Sequence, residues 1–192
     1  MAQTLINNLS YSTLDATKLS GNLPAISGAS LTGVGGLTEV DTWRLTTTFS
    51  GEQNWGTMER VDTDASGHIG TGLSYSSPNF SFPSTGFYLL QIQGNFYKAS
   101  SGQRLISMSI QFTTNNNDYT QIGYSRTQIA DETGTTENNY TSVYSAKLFD
   151  ITDISNQKFR IASQTNNDTN VKTLGNTDDH ITGFTIMKLG DT

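Results

Sequence analysis

The sequence contains no cysteine, only three prolines, few charged residues and no long apolar run. Without cysteine, the chain has no disulfides, no thiolate nucleophile and no cysteine-based zinc site. Every apolar run is far shorter than the roughly twenty residues that a membrane-spanning helix needs. Lys and Arg total 11 against 17 Asp and Glu, and the basic residues form no cluster. Membrane insertion and nucleic-acid binding are therefore not expected, because the second needs a basic face.

The sequence is instead rich in small and polar residues. Hydrophobic residues make up 34% of the 192 residues and charged residues 15%, and Thr, Ser, Asn, Gln and 18 glycines take up much of the rest. Aromatic residues reach 10%, enough to supply a core at strand positions. This composition favours a β-rich surface protein with many turns. The first nine residues lack the cationic and apolar regions of a secretory signal, so we expect synthesis in a cytosol.

Residues 1–37 differ from the rest of the chain. Between 14 and 33 a leucine or isoleucine recurs every three to five residues, with Pro24 and glycines between them. This spacing fits neither a helix nor a strand, and so narrow a segment cannot bury its apolar side chains against itself. We predict an attachment arm (1–37) that packs on another surface, followed by a head domain (38–192) after the glycine-rich break. The predicted contact residues of the arm are Leu14, Leu19, Leu23, Ile26 and Leu31.

Part of the arm also resembles a known repeat. Residues 19–32 read Leu-Ser-Gly-Asn-Leu-Pro-Ala-Ile-Ser-Gly-Ala-Ser-Leu-Thr. This stretch resembles the short G-x-L-P-A-I-x-G-A-x-L-T repeats in structural proteins of tailed bacteriophages. The resemblance implies a virion component whose arm contacts other virion proteins, in the capsid or the tail. The alternative is an ordinary N-terminal extension with a chance repeat.

Beyond the arm the sequence predicts successive strands separated by turn residues. The clearest strand is 87–97, in which Tyr88, Leu90, Ile92 and Phe96 alternate with a polar face. We expect Gln91 and Gln93 on that polar face to tolerate substitution. Other strands are predicted at 42–49, 54–61, 68–73, 79–82, 104–113, 119–129, 140–151, 158–164 and 181–189. About ten strands without an amphipathic helix predict an all-β two-sheet sandwich or jelly roll.

Two of these strands resemble a known family. Residues 82–92 read Phe-Pro-Ser-Thr-Gly-Phe-Tyr-Leu-Leu-Gln-Ile, which is similar to the F-x-x-x-G-x-Y strand of C1q/TNF-like jelly rolls. Residues 182–189 look like the last core strand of that family. The resemblance implies a compact homotrimer that buries aromatic residues between protomers around a three-fold axis. The lack of cysteine and the Asn-rich loops depart from the family and leave the ligand open.

One loop has the spacing of a cation site. Asp62, Asp64 and Ser66, followed by Gly67, match the first positions of an EF-hand-like calcium loop. The twelfth position holds Leu73 where a bidentate glutamate belongs. The alternative is a polar hairpin turn in which Gly67 supplies a positive φ. We predict no metal and no cofactor, and cation binding by this loop stays open.

Catalytic patterns are weak. The segment 178–180 places two aspartates beside a histidine, but a metal site usually needs three protein ligands. A glycoside hydrolase needs two carboxylates at a fixed separation, and the candidates lie in the separate loops 131–137 and 150–153. The sequence contains no Gly-x-Ser-x-Gly, phosphate-binding loop or dinucleotide fingerprint. We therefore predict that the protein is not an enzyme.

Tyrosines in polar surroundings are the candidates for ligand binding. Tyr75, Tyr119, Tyr124 and Tyr140 stand beside Asn, Ser and Thr, the residues that accompany aromatic stacking in sugar recognition. The alternative is that each tyrosine packs at a sheet edge or at the trimer interface.

Together these features predict a bacteriophage virion-surface protein, made in the host cytoplasm. In the leading hypothesis it is a homotrimeric tail fibre or spike whose head engages a host receptor or glycan. The alternative is a capsid decoration protein that stabilises the shell and binds no ligand. A bacterial C1q-like lectin outside any virus is disfavoured, since no secretory signal is seen.

Overall fold

The computed structural model describes residues 36–63, 65–99, 102–130 and 138–192. These residues form thirteen strands and no helix, so the all-β prediction is confirmed for them. In the same ranges no helix is available to cross a membrane. The predicted contact residues of the arm lie outside the described residues: Leu14, Leu19, Leu23, Ile26 and Leu31.

The strands range in length from two to fourteen residues. In chain order they are β1 (Val40–Leu45), β2 (Phe49–Ser50), β3 (Gln53–Asn54), β4 (Met58–Arg60), β5 (Ser74–Ser76), β6 (Asn79–Ser81), β7 (Gly86–Ala99), β8 (Gln103–Thr113), β9 (Thr120–Ile129), β10 (Asn138–Ile151), β11 (Lys158–Gln164), β12 (Lys172–Thr173) and β13 (Gly183–Gly190).

The strands form two antiparallel sheets. Sheet A is organised around β7, which pairs with β10 over its whole length. The other edge of β7 pairs first with β13 and then with β12, and β13 continues the sheet through β1 to β4. Sheet B has the order β5-β6-β11-β8-β9, with β3 also paired to β11. The predicted two-sheet sandwich is therefore the observed architecture.

The core lies between the two sheets and is rich in aromatic side chains. Phe159 of β11 packs on Phe80 at 5.2 Å between ring centroids and on Phe149 of β10 at 5.5 Å. The strand β7 contributes four side chains that are at most 1% exposed. They are the inward residues predicted from the alternation, Tyr88, Leu90, Ile92 and Phe96.

A buried carboxylate holds the long connection between β4 and β5. Asp41 is 1% exposed, and it accepts hydrogen bonds from Trp43 Nε1 (2.9 Å) and the Leu73 amide (2.7 Å). The guanidinium of Arg60 pairs with the same carboxylate at 2.9 Å. A buried charge is tolerated where it is paired and hydrogen-bonded in this way. The connection is thereby fixed to β1 without belonging to a sheet.

The prediction of a strand over 68–73 is wrong. Only Ile69 bridges to Val40 of β1. Gly70 and Gly72 have φ of 78° and 71°, in the left-handed region that strands do not use. These glycines turn the chain around Asp41, which the local sequence pattern does not reveal.

The β7 core face gives a stability prediction. Ile92 is fully buried, so Ile92→Ala is expected to lower the free energy of unfolding by about 2–5 kcal/mol through lost burial and a cavity. Gln91, its outward neighbour, is the control, and Gln91→Ala is expected to cost no more than about 0.5 kcal/mol. Denaturation of both variants at two protein concentrations measures the difference, because a loss at Gln91 that varies with concentration would report on association and not on protomer stability. Equal losses would show that the two faces of the strand are assigned wrongly.

Candidate functional site

The outward side chains of sheet A line up in rows, because antiparallel register places facing residues side by side. One row is entirely apolar and crosses four strands, with Leu148 of β10 beside Leu89 of β7, then Met187 of β13 and Val40 of β1. Leu148 is 53% exposed and the other three are half-buried. We call these four residues the apolar row. It lies at the end of the sheet where β7 begins.

The middle of the face is polar. The next row contains Gln91, Thr185 and Thr42, and the two threonine hydroxyls are hydrogen-bonded at 3.0 Å. Beyond it, Tyr144, Gln93 and His180 help to line a depression of about 140 Å³.

Gln93 is not a free surface residue. Its Nε2 donates to the backbone carbonyls of His180 (2.8 Å) and Ile181 (3.2 Å). Gln93 therefore fixes the segment that enters β13, and the expectation that it tolerates substitution is revised. Gln91 stays the appropriate control for this strand.

His180 lies half-buried at the edge of this depression. Burial lowers the pKa of His180 below its ordinary value of 6.5, and the nearby Arg44 guanidinium acts in the same direction. The nearby Trp43 carbonyl acts in the opposite direction. The folded protein thus favours the neutral imidazole.

A second row lies at the far end of the face. Tyr140 of β10 stands beside Tyr97 of β7, which faces Lys172 of β12 and then Ser50 of β2. The two tyrosine rings are 5.6 Å apart, and Lys172 Nζ is 5.4 Å from the Tyr97 ring centroid. We call these four residues the aromatic row. Eight residues of β7 separate it from the apolar row, about 27 Å at roughly 3.4 Å per residue.

A pocket of about 440 Å³ lies beside the aromatic row. We call it the end pocket. Most of its wall is polar or cationic. Its lining residues are Ser50, Tyr97, Lys98, Ala99, Asn138, Thr169, Asn170 and Lys172. The two lysines differ, since Lys98 Nζ is 2.5 Å from the Asp168 carboxylate whereas no carboxylate pairs with Lys172 within the described residues.

The loop 165–170 that forms one wall of the end pocket is held by carboxylates. Glu52 Oε1 accepts hydrogen bonds from the amides of Thr165 and Asn167, both at 3.0 Å. Asp168 accepts from the Asn170 amide at 2.8 Å as well as from Lys98. The Lys98 hydrogen bond is the main cause that lowers the pKa of Asp168, so Asp168 stays ionised near neutral pH. The wall is therefore organised before any ligand arrives.

The chain enters the sandwich at the opposite end. Residues 36–38 and 188–191 line one groove of about 320 Å³, next to the start of β1 and the end of β13. Because β1 pairs with β13 here, this is the end of the apolar row. The end pocket thus lies away from residues 36–38.

The four tyrosines predicted to bind ligand do not come together. Tyr75 faces inward, with its ring 4.7 Å from Phe80. Tyr119 is half-buried under the Arg160 guanidinium at 4.1 Å, and burial raises the pKa of the Tyr119 hydroxyl.

The other two tyrosines are exposed, on different sheets. Tyr124 is 48% exposed on sheet B, with the Arg126 guanidinium 4.2 Å from its ring. Tyr140 is 64% exposed in the aromatic row of sheet A. Of the four, it alone adjoins the end pocket, through Tyr97, and a ligand role for each tyrosine stays a prediction. The sequence analysis missed Tyr97 and Lys172, whose proximity comes from pairing between distant segments.

The candidate metal and acid groups that the structure describes form no cluster. Asp62 and Ser66 are exposed in a turn closed by the Ser66 amide and the Thr63 carbonyl (3.0 Å), and Asp64 lies outside the described residues. The positive φ in this turn belongs to Ala65, at 65°, so its assignment to Gly67 is wrong. Among the described residues no cluster of three or more His, Cys, Asp or Glu is placed to hold a metal.

Comparisons with known proteins concern the fold. No protein-family model and no curated protein matches the sequence. Among solved structures, murine APRIL at pH 5.0 superposes with a TM-score of 0.58 and 16% identity, covering 79% of this chain and 98% of that one. Eiger TNF from S. frugiperda gives 0.59 and 15%, covering 82% and 96%. The chain therefore has a TNF-like jelly-roll fold, as the sequence predicted.

His180 gives a pH prediction. The folded state binds a proton at His180 less readily than the unfolded chain, so stability is complete above the ordinary value of 6.5 and falls as pH drops below it. His180→Asn is expected to reduce the fall in melting temperature between pH 7.5 and pH 5. His68→Asn, at an exposed position, is the control and is expected to keep the wild-type slope. Identical slopes for His180→Asn and wild type would exclude this role.

Proposed function

We propose that the chain forms a homotrimer through the apolar row on the outer face of sheet A and serves as the head of a bacteriophage virion-surface fibre or spike. The arm, residues 1–37, anchors the trimer to capsid or tail proteins, and the head engages a ligand on the host surface. The apolar row carries this proposal. It crosses four paired strands and includes Leu148, which is 53% exposed.

Self-association accounts for the apolar row. Contiguous apolar surface on a folded head is unfavourable in water, and such patches mark interaction surfaces. Phe87, 37% exposed, lies two residues before Leu89 on the same face of β7 and extends the row. Other copies of the chain are the occupant we propose, since the C1q/TNF-like resemblance implies trimers that bury aromatic residues between protomers.

The virion role is supported by the arm. Its repeat resembles those of tailed-phage structural proteins, and its apolar residues need a surface on which to pack. We propose binding and assembly, not catalysis, because the acidic and histidine candidates are dispersed or lie outside the described residues.

Capsid decoration is the second candidate, because a trimer that cements a shell needs the same association face. The end pocket favours the fibre or spike, since a decoration protein that binds no ligand has no use for an organised polar pocket. Copy number per particle separates the two. Hundreds of copies indicate decoration, and a few tens or fewer indicate a fibre or spike.

Disruption of the apolar row gives the test of assembly. The wild-type chain is expected to sediment at three times its mass of 20.9 kDa. Leu148→Glu places a charge on the association face and is expected to shift the species to one protomer mass at micromolar concentration. Tyr124→Glu, at a similarly exposed position of sheet B, is expected to leave the trimer intact.

Two results would contradict the association face. If the wild-type chain is a monomer at micromolar concentration, the proposed trimer is wrong. Dissociation by Tyr124→Glu to the same extent as by Leu148→Glu would show that the face is assigned wrongly. Circular dichroism of both variants establishes that the strands are retained.

Deletion of residues 1–37 tests the anchor. The head is expected to fold and to associate as in the full chain, because the described sandwich and its association face begin beyond this segment. Particles assembled with the truncated protein are expected to lack it when virion proteins are quantified. Normal occupancy of the truncated protein would show that the arm is not the anchor.

A further inference from the structure

We propose that the end pocket binds a carboxylated saccharide, with Lys172 holding the carboxylate. The inference deepens the proposed host-surface role, on which its biological meaning rests. The pocket, of about 440 Å³, lies within the roughly 300–1,000 Å³ typical of small-ligand sites. It is also at the end of the head away from the chain entry at Gly36.

The charge of the pocket selects an anion of low charge. Lys98 is already neutralised by Asp168, at 2.5 Å. Lys172 contacts the Tyr97 ring and, among the described residues, has no carboxylate partner. One uncompensated ammonium matches one carboxylate, whereas a polysulfated chain or a nucleic acid needs a cluster of cations. On a chain of net charge -6 such a local positive site is distinctive.

The remaining lining selects a ligand rich in hydroxyls. Asn138 and Asn170 each offer amide donors and a carbonyl acceptor, and Ser50 and Thr169 offer hydroxyls that act as either. These groups match the mixed donors and acceptors of a sugar ring, which a simple carboxylate such as acetate does not use.

The aromatic row supplies the apolar contact. Tyr140 is 64% exposed and lies beside Tyr97 at 5.6 Å, so its ring is available to the C–H face of a pyranose. Lys172 approaches Tyr97 at 5.4 Å, which fixes the ammonium next to this platform. Carboxylate capture and ring stacking are thus adjacent.

The pocket wall is rigid enough to bind without a large ordering cost. Glu52 accepts hydrogen bonds from the backbone amides of Thr165 and Asn167. Thr165 Oγ1 donates a hydrogen bond to the Asp168 carbonyl at 2.8 Å. Preorganised walls lose less conformational entropy on binding. The loop therefore supports a site and not merely a surface depression.

The test is calorimetric titration of the full-length chain with two matched probe pairs. Galacturonic acid is compared with its methyl ester, and 3′-sialyllactose with its methyl ester. At least one acid is expected to bind, and its neutral counterpart at least about tenfold more weakly, the loss expected when one charge-assisted hydrogen bond is removed. Binding of neither acid at millimolar concentration, or equal binding of acid and neutral probe, would overturn the inference.

Variants locate the site. Lys172→Met is expected to weaken binding of the acid at least about tenfold, and Lys172→Arg to retain it, because the guanidinium keeps the charge. Lys158→Met makes the same charge change on sheet B and is expected to bind as wild type does. Melting curves verify folding of each variant. Equal losses in Lys158→Met and Lys172→Met would overturn the assignment.

Leu148→Glu separates this inference from the proposed trimer. If that variant is monomeric and still binds the acid, one protomer is sufficient for the site, as the lining residues require. If the wild-type chain is a trimer but binds no acidic probe, only this inference is wrong. If the wild-type chain is a monomer and binds an acidic probe, only the proposed trimer is wrong.

Discussion

The alternation of β7 is the constraint on which the rest of the head depends. The strand pairs along both edges, with β10 on one side and with β13 and β12 on the other. Its inward residues fill the core, whereas its outward residues Leu89, Gln93 and Tyr97 each belong to a different part of the sheet surface. A slip of one residue would exchange these two sets, so the core and the candidate site are fixed by the same register.

Carboxylates that accept hydrogen bonds from backbone amides organise two segments outside the sheets. Asp41 does so for the connection before β5, and Glu52 does so for the loop 165–170. The loop 165–170 contains no apolar residue, and the connection before β5 buries Val61 and Leu73 among its described apolar side chains. In the loop, charge-assisted hydrogen bonds replace the missing packing. The end pocket is a consequence of this arrangement, because its wall is the second of these loops.

The outer face of sheet A is apolar at one end and carries the aromatic row at the other. The apolar row lies near residues 36–38, and the aromatic row lies about 27 Å away along β7. Its Lys172 pairs with no carboxylate among the described residues. Association through the first would leave the second uncovered. A trimer built in this way presents three copies of the end pocket, which favours avid binding to a repetitive surface.

Local alternation determined the strands and the core. In segments 87–97 and 104–113 the period-two pattern identified strands that the structure confirms, because a sheet with one buried face alternates apolar and polar residues along each strand. What only the tertiary structure decided is which strands are neighbours. Leu148 beside Leu89, and Lys172 beside Tyr97, join residues far apart in the chain, so no local pattern places them together. The same long-range packing turned Tyr75 into the core and left Tyr140 exposed, although both stand in similar polar sequence.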